Sequence, residues 1–138
     1  MTPDLLFLDA SGSGIAGDMC VAALLDAGAP EAAITDALSA LPLERHGRTV
    51  RTVFRSGIAS KQFVVEPLED APQRTWRDIR QLLQALPPAV RARSVAMFAR
   101  LAEAEAAVHG CAVDDVHFHE VGALDSIVDI VAVAACLE

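Results

Sequence analysis

The chain has 138 residues, enough for one domain with its own core, and its 53% hydrophobic content and mean hydropathy of +0.36 exclude a disordered segment. A formal charge of −8 excludes a nucleic-acid backbone as the main partner, because phosphate neutralisation needs a basic surface. The longest apolar run, from Ile130 to Leu137, is too short to span a bilayer. Cys20, Cys111 and Cys136, odd in number and without a C-x-x-C, read as reduced thiols, and no basic region precedes an apolar stretch at the start, so the expected compartment is the cytoplasm.

Taken in order, Leu5 to Leu8 is a short apolar run ending at Asp9, the pattern of a buried strand. A loop over 11–17 follows. Asp18 to Ala27 reads as a helix, with its acidic residue at the positive end of the dipole and Gly28 as the stop. Pro30 opens a second helix to about Leu41. Thr49 to Phe54 and Gln62 to Glu66 are β-rich and predict a hairpin around the loop at 56–60. The stretch 67–74 is polar and is the expected internal linker. Thr75 caps a helix through Leu86, and Pro87 and Pro88 break the chain. Ala89 to His109 is the longest helix, with Val90, Met97, Leu101 and Val108 as its apolar stripe and Gly110 as its end. His109 reads as a cation at the negative end of that helix. A final helix from about Asp125 stops without a C-cap or polar tail, so the chain reads as a piece of a longer protein, and its bare apolar end makes homo-oligomerisation an expectation. The class is α/β or α+β: a small sheet, including the N-terminal strand and the hairpin, packed with about five helices in one domain over 1–138.

The densest chemistry lies at His117, His119, Glu120, Asp125 and Asp129. If the first three are extended, both imidazoles share one face of the strand; if Asp125 onward is helical, its two carboxylates stand one turn apart. A strand-turn-helix of this kind can aim imidazole and carboxylate at one point, and borderline metals such as nickel, cobalt and zinc accept that mixture. The alternative is two imidazoles on a half-exposed strand, Asp125 as a helix cap and Asp129 in solvent. Asp129 next to Val128 and Ile130 favours the metal, since a carboxylate on an apolar face needs a partner.

A second motif is Gly12-x-Gly14-x-x-Gly17 followed by Asp18, a G-x-G-x-x-G between a predicted strand and a helix. Such glycines let backbone amides approach a phosphate. The second strand that a dinucleotide fold requires is replaced by helix, which argues against NAD, and Asp18 repels a bare phosphate unless a metal lies between them. A tight turn packing helix on strand explains the glycines equally well. Arg74, Arg77 and Arg80 around Trp76 read as a solvated face, with an anion site as the alternative.

These residues carry a resemblance. Leu8 to Ser11 with Gly14 to Met19, Trp76 to Ile79, Leu101 to Gly110 and above all Val116 to Ile130 resemble the N-terminal half of the LarC family of nickel-insertion proteins. The resemblance implies CTP-dependent insertion of nickel into pyridinium-3,5-bisthiocarboxylic acid mononucleotide, making the nickel-pincer cofactor of lactate racemase. It implies nickel at His117, His119, Glu120, Asp125 and Asp129. It further implies nucleotide phosphate at Asp9, Gly12, Gly14, Gly17 and Asp18, with magnesium or manganese accompanying CTP. The partners expected are the pyridinium mononucleotide and a missing C-terminal half that handles CTP. The family's histidine-rich stretch has no counterpart in 67–74, which removes a nickel-storage role there. The alternative is a metal-binding or structural module without activity of its own; no catalytic acid or base is assigned.

Overall fold

The computed structural model describes residues 5–66, 72–118 and 124–138. Their fold is α+β: helices α1 (Gly17–Asp26) and α2 (Glu31–Ser39), strands β1 (Arg48–Arg55) and β2 (Ile58–Val65), then α3 (Trp76–Leu82), α4 (Pro88–His109) and α5 (Leu124–Cys136). The strands form one antiparallel hairpin, Arg48 opposite Val65 and Arg55 opposite Ile58. The turn is only Ser56 and Gly57, both at positive φ, so residues 58–60 join the strand instead of the loop expected there.

Helix α5 is the centre of the core. Its Ile127, Val128, Val131, Ala132 and Ala134 are fully buried, and so broad an apolar surface is stable only when neighbouring elements cover it. It packs against α1, α2 and α4, while β2 covers α1 from the other side. The alanines let the neighbouring helices come close.

Helix α4 begins on Pro88 and ends at Gly110 in the left-handed conformation. Its buried row is Val90, Ser94, Phe98, Ala102 and Ala106, four residues apart. The expected stripe is corrected accordingly: Val90 is buried, Met97 and Leu101 flank the core, and Val108 is 80% exposed. Phe98 stacks on Trp76 at 6.2 Å and meets Phe118 at 6.1 Å, joining α3, α4 and the segment after α4. Glu105 pairs with His109 one turn away at 3.2 Å.

The expected N-terminal strand does not form. Leu5 to Leu8 have no regular secondary structure and pair with no strand, with Leu5 and Phe7 each 82% exposed. An apolar run becomes a strand only if a sheet edge accepts it, and the sheet described here has two strands paired only with each other. Of the expected linker, residues 67–71 lie outside the described ones, while Arg74 is buried and pairs with Glu44 at 2.5 Å. Among the described residues no helix is long and apolar enough to cross a membrane, and all three cysteines are free thiols.

Candidate metal and anion site

The N-terminal turn of α1 lies directly against α5. A Cβ built on Gly17 would stand 2.7 Å from both Cβ and Oδ2 of Asp129, closer than real atoms approach. Gly17 is therefore glycine because the backbone touches this aspartate. Gly12 and Gly14 have open space where a Cβ would be; Gly14 is instead required by its φ of +72°. Within the loop the Gly14 amide donates to the Ala10 carbonyl at 2.9 Å. Asp9 accepts from the Ser11 hydroxyl at 2.6 Å and the Ser11 amide at 3.0 Å, and these bonds hold its carboxyl below the usual carboxylate range. The expected phosphate ligands thus include one residue, Asp9, already engaged by its own turn.

Asp129 is half-buried, and its Oδ1 is cut off from solvent without a hydrogen-bond partner among the described residues. Burial first, then the negative charges of Asp18 and Asp125, push its carboxyl from 3.8 up to about 7, and a hydrogen bond from the Asp18 backbone amide pulls the other way. The two flanking carboxylates are exposed. Asp18 accepts from the Met19 amide at 2.8 Å, and Asp125 from the Ser126 amide at 2.7 Å. The packing of α1 on α5 lets the charges of two acids from different motifs, Asp18 of the glycine loop and Asp125 of the last helix, act on Asp129, although the three do not stand close enough to hold a metal as a set. A buried, unpartnered carboxylate oxygen flanked by two further carboxylates attracts a cation.

His117 stands apart from these acids. It forms an antiparallel bridge with Thr75, the Val116 carbonyl accepts from the Trp76 amide at 3.0 Å, and Phe118 is buried beside it. The imidazole is exposed near the start of α3, where its charge helps hold Asp78 below the usual range, after the larger effect of the hydrogen bonds from Thr75. Thr75 and Asp78 form a reciprocal capping box, as the cap at Thr75 predicted. His119 and Glu120 lie outside the described residues. Among the described residues, no three His, Cys, Asp or Glu side chains stand close enough to hold a metal by themselves.

The arginine row resolves into ion pairs. Arg74 binds Glu44, Arg77 reaches Asp115 at 3.5 Å, and Arg80 reaches Asp114 at 3.2 Å while lying 5.8 Å over the Trp76 ring. Arg77 and Arg80 thus face the turn before His117 through exposed pairs, while Arg74 pairs with Glu44.

A cavity of about 360 Å³ opens between α1 and the hairpin, lined by Asp18, Met19, Ala22, Val53, Arg55, Ser60, Lys61, Gln62 and Phe63. The sequence reading had not singled out Arg55 or Lys61; their only signal was two cations flanking the tight turn. Asp18 belongs to this cavity and to the acidic cluster at once.

The model of the family described as nickel insertion protein matches residues 6–138. The chain belongs to the nickel insertion protein family. A member from Thermomicrobium roseum, named for nickel insertion, is 50% identical over 124 residues, 88% of this chain and 30% of its own length. A second from Geobacter metallireducens is 48% identical over 130 residues, 91% of this chain and 33% of its own. A third from Nocardioides, named pyridinium-3,5-bisthiocarboxylic acid mononucleotide nickel insertion protein, is 47% identical over 131 residues, 94% of this chain and 33% of its own. The chain spans about a third of the length of the curated relatives it matches. No solved structure matches it. Nickel is the metal that the family description names.

Proposed function

We propose that this chain is the metal-presenting N-terminal part of a protein that inserts nickel into pyridinium-3,5-bisthiocarboxylic acid mononucleotide. Nickel is a substrate here, not a resident cofactor. Asp129, Asp18 and Asp125 receive it, and His117, His119 and Glu120 complete or deliver to that set. The observation that carries this reading is the orphaned Oδ1 of Asp129, a side chain that touches Gly17 and feels the charges of Asp18 and Asp125. The protein's donor set can be incomplete because the acceptor brings its own soft ligands, two thiocarboxylate sulfurs and a ring carbon, which suit nickel better than oxygen does.

The full reaction is a chelatase step of the lyase type in the cytoplasm: CTP, with magnesium or manganese, activates the completed protein, and the product is the nickel-pincer cofactor of lactate racemase. The relatives' additional length is where we assign CTP handling. Asp9, Gly12 and Gly14 stay candidates for nucleotide phosphate through their backbone amides, with Gly17 and Asp18 nearer the metal.

Calorimetric nickel titration tests the proposal. The chain is expected to bind one nickel, with affinity falling at least tenfold in Asp129→Asn and in the double variant His117→Ala, His119→Ala. Unchanged affinity in Asp129→Asn removes the carboxylate cluster from the reading. Retained affinity in the histidine variant removes only the imidazoles, and absent binding by the wild type refutes metal capture by this part.

A further inference from the structure

The cavity between α1 and the hairpin carries a cationic wall in a chain of net charge −8. Arg74, Arg77, Arg80, Arg93 and Arg100 each meet a carboxylate. Arg55 and Lys61, like Arg45, Arg48, Arg51 and Arg91, have no carboxylate within ion-pair distance among the described residues, and the Lys61 ammonium donates only a long 3.4 Å hydrogen bond to Thr52. Both line the cavity. Two cations that line one cavity without an ion-pair partner are placed to take an oxyanion, Arg through its planar fork and Lys as a point charge, with Asp18 the single acid in the same lining.

The cavity's other features narrow the ligand. Its volume of about 360 Å³ lies at the lower end of small-molecule sites, near that of a single nucleotide. Met19 and Val53 supply an apolar wall against which a flat ring can lie, and Ser60 and Gln62 supply hydrogen-bonding groups for a sugar. Asp18 is part of the same lining, and its charge acts on Asp129. A ligand seated here would place its far end beside the carboxylates, the arrangement that metal transfer requires.

We infer that Arg55 and Lys61 bind the phosphate of a pyridinium mononucleotide in this cavity, with its ring directed toward Asp18. The inference rests on the proposed nickel-insertion reading for the direction of the ligand, but the anion site itself can be tested without metal.

The probe is nicotinamide mononucleotide, a pyridinium mononucleotide, compared with nicotinamide riboside, which lacks the phosphate. Both are titrated into the 138-residue chain in chelator and followed by NMR chemical-shift changes. Nicotinamide mononucleotide is expected to bind at least tenfold more tightly than the riboside, and the double variant Arg55→Gln, Lys61→Gln is expected to abolish that difference. Equal affinity for the two probes, an undiminished difference in the double variant, or no binding of the mononucleotide by the wild type each overturns the inference. Nickel titration of the same variant separates the two ideas. Phosphate selectivity lost with nickel binding intact supports the anion site as distinct from the metal site. Phosphate selectivity in a chain that binds no nickel keeps the anion site and removes the metal reading.

Discussion

Replacing Asp129 by asparagine removes the charge at the centre of the candidate metal site at nearly constant volume. In the metal-free chain its carboxyl titrates at about 7, against an ordinary 3.8. Below the lower value the folded and unfolded chains both hold the proton, and the site exacts no penalty. Between the two values the unfolded chain releases its proton while the folded chain keeps it, so stability falls as pH rises. Above pH 7 the folded chain carries a half-buried carboxylate beside two others, and the penalty is complete. At about 1.4 kcal/mol for each pH unit between the two values, the full penalty would be roughly 4 kcal/mol. Asp129 is only half-buried and its two neighbours are exposed, so solvent screening reduces this to about 1–2 kcal/mol.

Asp129→Asn is therefore expected to stabilise the metal-free chain at pH 8 by about 1–2 kcal/mol, or roughly 3–8 °C in Tm for a domain of this size. The gain should shrink towards zero as pH falls below 5. Saturating nickel should reverse the order, because only the wild type offers the carboxylate to the metal, and its nickel affinity should climb with pH through 7 as the competing proton leaves. Circular-dichroism melts of both proteins at pH 5 and pH 8, in chelator and in nickel, supply every comparison. A variant no more stable than the wild type at pH 8 in chelator, or a gain of equal size at pH 5, refutes the reasoning.

Gly17→Ala places a Cβ 2.7 Å from the Cβ of Asp129, an atom fixed to its helix, so α1 must shift; denaturant melts should show a loss of about 1–3 kcal/mol, and an unchanged midpoint would deny the close contact. Phe98→Ala empties the position between Trp76 and Phe118 and should lower stability by about 3–5 kcal/mol, with a loss below 1 kcal/mol contradicting its place in the core. Ser94 is fully buried on α4 with its hydroxyl unpartnered among the described residues, so Ser94→Ala should raise stability by about 0.5–1 kcal/mol; a measured loss would reveal a partner for that hydroxyl.

The elements most legible in the sequence were those with explicit punctuation. Pro88 and Gly110 bound the longest helix, Thr75 caps α3, and the β-rich runs around Ser56 and Gly57 pair as a hairpin. The failures share a cause: local apolarity does not reveal what an element will meet. Leu5 to Leu8 have the composition of a buried strand, yet no edge of the described sheet receives them. On α4 the larger residues Met97, Leu101 and Val108 suggested a stripe, while the buried row runs through Ser94, Ala102 and Ala106, small residues selected by the close approach of neighbouring elements. The site was legible in the same partial way. Spacing alone placed Asp125 and Asp129 on one helical face, and the loop pattern set Asp18 at a helix start. Only the packing of α1 on α5 joins them, and the reason for Gly17 is visible only from the aspartate it touches.

That geometry bears on how a nickel-inserting protein can both acquire and release its metal. A closed structural site with four protein ligands holds its ion through a large binding free energy, which is useful for folding and obstructive for transfer. In the proposed function the acids near the α1–α5 contact form a weaker trap. Two are exposed, and burial raises the carboxyl of the third, so a proton competes with a divalent cation for it. In the proposed function this competition favours delivery. Nickel enters by displacing a proton from Asp129 and leaves when an acceptor with soft ligands draws near, and the returning proton removes the unfavourable charge left behind. An asparagine at 129 would lose both halves of that exchange, and a fully satisfied Asp129 would lose the second.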